Sequence, residues 1–213
     1  MRYKVIILLF CLLTIFFMDN INATNLSLIG KVIVIDAGHG SVDPGTSAAG
    51  ILEKDINLAI SIYLRSELIK RGSTVIMTRS GDYDLSKPKA IWRKKSDFDN
   101  RIRIINEEYV DFYISIHLNY LSQSQYSGAQ VFYSEKNEDK ALIIQEVLNK
   151  ELISHRSIKK IPSDTYMYAK LNTPGVLIEC GFLSNYKERN KLNTESYQKE
   201  IARSIAKAIE RLF

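Results

Sequence analysis

The chain has 213 residues, 46% of them hydrophobic, and a formal charge of +5. That length and apolar content exclude a disordered chain and suit one domain of ordinary size with a short appendage. The mild positive charge suits an anionic surface such as a membrane or cell wall, and without a recognisable reading motif it gives no case for nucleic acid as a partner.

At the start, "MRYK" carries two cations and leads into the apolar run "VIILLFCLLTIFFM", residues 5 to 18, which Asp19 closes. A helix needs ~20 apolar residues to span a bilayer, so this shorter run reads as an export signal. Residues 1–23 are therefore assigned as a signal peptide or N-terminal anchor. Cleavage after Ala23 and retention both fit, because Ile21 stands where a small residue is preferred. Cys11 does not form a lipoprotein site, since Phe10 precedes it and it lies deep in the apolar run. The rest, 24–213, reads as one domain. Its one cysteine, Cys180, leaves no internal disulfide, so folding depends on the core.

In chain order, "KVIVID" at 31–36 is a β-branched run ended by glycines, predicted as a buried strand. A helix follows over 54–71, where Ile56, Ala59, Ile60, Tyr63, Leu64 and Leu68 share one face and Gly72 gives a stop. A strand over 73–78, a polar loop over 80–96, a helix over 97–108 and a strand over 111–117 come next. The remainder reads as a strand at 129–134, a helix at 137–154, strands at 165–170 and 175–179, and a closing helix at 194–213. This alternation predicts an α/β fold: a single three-layer domain, with a mostly parallel sheet of about six strands and helices on both faces.

Three apolar strands end in a reactive side chain: "IVIDAGH" in His39, "FYISIH" in His117 and "GVLIE" in Glu179. Functional groups of open α/β sheets collect beyond the carboxyl ends of the strands, so these three are expected at one edge. Glu53 joins them if the loop "GSVDPGTSAAGILE" folds back over that edge. Two imidazoles with a carboxylate are a common ligand set for catalytic zinc, and a further carboxylate can act as general base. Individually, His117 also fits a hydrogen-bonded strand end, and Glu179 fits an ion pair. His155 lacks any strand or glycine context and reads as surface.

On these residues the sequence resembles the zinc-dependent N-acetylmuramoyl-L-alanine amidases of the type 3 family. The matching stretches are "VIVIDAGHGSVDPG" at 32–45, Glu53, "TRSGD" at 78–82, "NRIRIIN" at 100–106, "VDFYISIHLN" at 110–119 and "GVLIECGFLSN" at 175–185, in family order. The resemblance implies Zn2+ on His39, Glu53 and His117, and Glu179 as the catalytic glutamate. It makes Asp36, Asn119 and Arg101 candidates for supporting the ligands or the substrate, whereas Arg79 and Arg101 are equally explained by structural ion pairs. The implied reaction is hydrolysis of the amide between N-acetylmuramic acid and L-alanine in peptidoglycan.

Among family members the chain looks most like the short spore-cortex type, whose action leads to muramic-δ-lactam and is tied to germination. The implied location is outside the cytoplasmic membrane, in the envelope or cortex. Lacking wall-binding repeats, the enzyme needs a retained anchor or an exported or membrane-tethered accessory protein to stay near its polymer. The alternatives are an exported zinc peptidase or carboxypeptidase acting on stem peptides, and a wall-binding module without turnover.

Overall fold

The computed structural model describes residues 26–213; the signal reading of residues 1–23 lies outside the described residues. Among those described, no helix is long and apolar enough to cross a membrane.

Strand β1, Val32–Ala37, is almost wholly buried, as its run of β-branched residues predicts for a strand covered on both faces. A short hairpin follows, β2 (Ser47–Ala48) against β3 (Ile51–Leu52), and helix α1, Glu53–Lys70, starts directly from it. Strand β4 (Thr74–Met77), helix α2 (Arg93–Ile105) and strand β5 (Phe112–Asn119) come next. Strand β6 (Gln130–Tyr133), helix α3 (Glu138–Glu151), strand β7 (Lys159–Lys160) and strand β8 (Gly175–Phe182) complete the sheet. Helices α4 (Tyr186–Leu192) and α5 (Glu195–Glu210) close the chain, capped by Asn185 and Thr194 side chains that accept from Glu188 and Tyr197 amides.

The six-stranded sheet has the order β4-β1-β5-β8-β6-β7. The first four strands are parallel, β6 runs antiparallel to β8, and β7 is parallel to β6. The larger core joins Ile33, Ile35, Ile114, Ile116 and Ile178 to α1, α3 and α5 on one face. On the other, Val34 and Tyr113 pack with Ile105, Phe98 and Ile102 of α2 and with Met167. The three-layer expectation holds. From β1 the chain passes through α1 to β4 on one side, then through α2 to β5 on the other, so β1 and β5 flank a topological switch point, where α/β sheets place their sites.

Two expectations need correction. Residues 165–170 form no strand; a turn leads into a 3-10 helix at Tyr168–Lys170, and the sixth strand is β7. Pro162 and Pro174 bracket this segment, which lacks β-branched alternation, and Tyr168 is drawn to the sheet by an oxygen–oxygen hydrogen bond of 3.2 Å with Ser115. Helix α2 begins at Arg93 rather than at 97, with no side-chain cap at Trp92 to announce its start. The sequence reading also missed α4.

Candidate active site

Each side chain is delivered by the switch point or by the loop that folds over it. His39 follows β1 at a sharp turn and itself carries φ 63°, a left-handed conformation costly for a residue with a Cβ. Two buried guanidinium groups hold that turn by its carbonyls. Arg79 donates from Nε to Ala37 O (3.0 Å) and from Nη2 to Gly38 O (2.9 Å). Arg101 donates to Ala37 O and His39 O, both at 2.8 Å. Arg101 also binds Asp36 (2.7 Å) and Asp97 (3.0 Å) while only 2% exposed, so it is a structural tie behind the site.

Asp36 lies beneath the turn, accepting from Thr78 (2.9 Å), Ser115 (2.7 Å) and Arg101. Burial by itself would raise its pKa, but the charge of Arg101 and the Ser115 hydroxyl hold it below the usual carboxylate value. The acceptor on the His39 ring is instead Asp43, with Oδ2 2.9 Å from Nδ1, and Lys94 pairs with the same oxygen. Sequence analysis did not single out Asp43. Its place four residues after His39 does not by itself show that the loop returns to the ring.

The same loop brings in Glu53. Ala49 and Gly50 have φ 52° and 78°, as expected of a two-residue turn between β2 and β3, and the hairpin returns the chain to the sheet edge. Glu53 becomes the first residue of α1, only 2% exposed. Its Oε2 accepts from the Thr46 amide at 2.8 Å, and Oε1 accepts from the Leu118 amide at 3.1 Å. Oε1 also lies 3.1 Å from His39 Nε2 and 3.0 Å from His117 Nδ1. One ligand atom from each of His39, Glu53 and His117 can be chosen so that all lie within 4.8 Å of one another. This two-imidazole, one-carboxylate set matches the protein ligands of catalytic zinc sites.

Burial lowers the tendency of His39 to carry a proton, yet hydrogen bonds to Asp43 and Glu53 outweigh it and raise its pKa to about 9. For Glu53, burial is outweighed by the two histidines, which hold its carboxyl far below the usual range. A buried carboxylate that stays ionised and favours the cationic form of His39 favours a bound cation for the same electrostatic reason.

The glycines leave room for these rings. A Cβ on Gly38 would lie 2.3 Å from the His117 ring, and one on Gly45 2.5 Å from Glu53 Oε2. Gly38 thus serves His117 across the sheet, not His39 beside it in sequence.

Glu179 sits on β8 in register with His117 on β5. The register slips just beyond, pairing Asn119 with Phe182, an irregularity of the kind that re-aims side chains beside active sites. Glu179 lines one open cleft of about 470 Å³ with His39, Glu53, His117 and Asn119. Its Oε2 is buried without a hydrogen-bond partner among the described residues. Burial, and then the nearby Glu53 carboxylate, push its pKa up to about 8, with His39 opposing. A carboxyl so placed can exchange a proton near neutral pH. His155 lies away from this cleft, in a separate pocket with Tyr126 and Lys191.

Known proteins share this arrangement of chain. The germination-specific N-acetylmuramoyl-L-alanine amidase of Bacillus subtilis (strain 168) is 40% identical over 201 residues, covering 92% of this chain and 85% of that protein. The sporulation-specific N-acetylmuramoyl-L-alanine amidase of the same organism is 26% identical over 186 residues, covering 85% of this chain and 68% of that one. The CwlD amidase from Clostridioides difficile, solved in complex with the GerS lipoprotein, superposes with a TM-score of 0.80 at 39% identity, covering 85% of this chain and 97% of that one. The family model described as N-acetylmuramoyl-L-alanine amidase matches residues 33–211. The chain belongs to the N-acetylmuramoyl-L-alanine amidase family.

Proposed function

We propose that the protein hydrolyses the amide between the lactyl group of N-acetylmuramic acid and the L-alanine that begins the peptide stem of peptidoglycan. Zinc is the assigned cofactor, with His39 Nε2, Glu53 and His117 Nδ1 as its ligands. The observation that carries this reading is the convergence of those three donors beside Glu179 in a chain of the amidase family. Zinc supplies Lewis acidity and makes water easier to deprotonate near neutral pH.

The chain's own residues do the rest. Glu179 Oε2 takes a proton from the attacking water and returns it to the departing nitrogen as the C–N bond breaks, leaving a lactyl carboxylate and a free alanyl amine. Asp43 fixes the His39 ring through Nδ1, so that Nε2 faces the cleft. Asn119, at the end of β5 and on the cleft wall, is assigned a contact to substrate. Asp36 and Arg101 support the turn from behind.

The germination- and sporulation-specific relatives support placing the reaction in the spore cortex, where removing the stem leads to muramic-δ-lactam. That location requires export, which the apolar run at 5–18 supports. The relative solved with a lipoprotein supports an exported accessory protein for this chain as well.

Mass spectrometry of peptidoglycan digests tests the reaction. The expected products are intact stem peptides with a free L-alanine amine and glycan bearing free lactyl carboxylates. Single amino acids cut from within the stem would point instead to a peptidase.

A further inference from the structure

The basic stretch 87–95, "KPKAIWRKK", is left unused by this chemistry. It holds five cations and no acidic residue. At its centre Ile91 and Trp92 are 90% and 75% exposed, an adjacent apolar pair with no packing role in the core. Arg93 binds Asp84 at 2.7 Å, Lys95 binds Asp99 at 2.6 Å and Lys94 pairs with Asp43. Lys87 and Lys89 make no ion pair among the described residues. An open groove of about 630 Å³ runs here, lined by Lys87, Lys89, Trp92, Lys95, Asn100 and Arg103.

Consecutive residues of α2 link this groove to the catalytic side, with Lys94 and Phe98 lining a pocket there and Lys95 and Asp99 lining the groove. Beside His39 and His117 lies a pocket whose far wall is Lys94, Phe98 and Tyr166. Tyr166 donates to Asp99 at 2.6 Å, and Phe98 stacks on it with ring centroids 6.2 Å apart. Asp99 and Lys95 then line the groove itself. The first turn of α2 also touches the His39 loop, where Arg93 donates to the Ser41 hydroxyl at 3.2 Å. A polymer seated on the metal centre can therefore run across Tyr166 to Trp92 without leaving the surface.

We infer that the Trp92 groove is a second binding site for the peptidoglycan strand, holding the polymer one or more repeats away from the bond that is cut. An exposed indole offers a flat face to the C–H surface of a sugar, and unpaired lysines suit the carboxylates of stem peptides. A bilayer is the poorer match. The chain enters the domain at the start of β1, the end of the sheet opposite His39, so an N-terminal tether turns the Trp92 face away from the membrane. The inference rests on the peptidoglycan reading above and gives the catalytic domain a hold on its polymer.

The test separates polymer from bond. In a Glu179→Gln background, which keeps the polymer intact, co-sedimentation with insoluble peptidoglycan should weaken about tenfold for Trp92→Ala, the loss typical of an aromatic anchor. Lys87→Glu with Lys89→Glu should also weaken it and remove much of its salt dependence. With Glu179 intact, Trp92→Ala should turn over a soluble muramoyl peptide, too short to reach the groove, at the unaltered rate, while KM for the polymer rises.

Unchanged sedimentation of both variants would overturn the inference. So would an equal loss on the short substrate, or a loss confined to phosphatidylglycerol vesicles. If the wild-type protein cleaves neither substrate, the amidase reading fails, whereas the sedimentation result still decides the groove.

Discussion

At residue scale, the site depends on where single atoms are held. Asp43 fixes the His39 ring, and losing such a partner typically costs 10- to 100-fold in metal affinity. Asp43→Ala should weaken zinc by about that factor in a chelator competition, with little change in far-UV circular dichroism. Gly38→Ala should also lower affinity, because the added methyl enters the His117 ring. His39, His117 and Glu179 could be read from the sequence because each closes an apolar run near the carboxyl end of a strand, and those ends share an edge. Asp43 could not, since nothing in "GSVDPG" says which loop atom returns to the imidazole. The role of Gly38 was equally hidden: the ring it accommodates lies 79 positions away, on a neighbouring strand.

At the scale of elements, two arginines from the β4 end and α2 clamp the turn after β1. Arg101→Ala would leave Asp36, 1% exposed, without its cation, and removing one partner of a buried pair costs about 3–5 kcal/mol. Urea denaturation should show a loss of that size. Asp36 also gives a pH signature. Its folded pKa lies below the unfolded value of 3.8, so its contribution is present above that pH and is lost as pH falls through the folded pKa. Stability measured from pH 5 downward should therefore fall less steeply in Asp36→Asn than in the wild type. The core helices α1 and α5 were legible from their apolar periodicity. Helix α2 was misplaced at its start because its first turn is cationic and uncapped, and residues 165–170 were misread because tyrosines mimic a strand pattern that tertiary contacts override.

Across the whole molecule, zinc on the proposed ligands would couple to the fold. A ligand that binds only the folded state at a thousand times its Kd adds about 4 kcal/mol. For a domain of this size each kcal/mol moves Tm by about 2–4 °C, so stripping the zinc should lower Tm by roughly 8–16 °C. Readdition should restore it. The architecture explains why so much of the site was visible before the structure: a switch point between β1 and β5 turns hydrophobic runs into addresses. Glu53 was the exception. Its place depends on a two-residue turn at Ala49–Gly50, whose effect on the loop's path appears only once the hairpin is built.

The central claim is that Glu179 performs the proton transfers beside a metal held by His39, Glu53 and His117. The most direct test is the rate of stem-peptide release from peptidoglycan by Glu179→Gln, measured together with its zinc content. The account predicts a fall of about 10²–10⁴-fold with one zinc retained per chain. An undiminished rate, or a loss of zinc equal to the loss of rate, would contradict it.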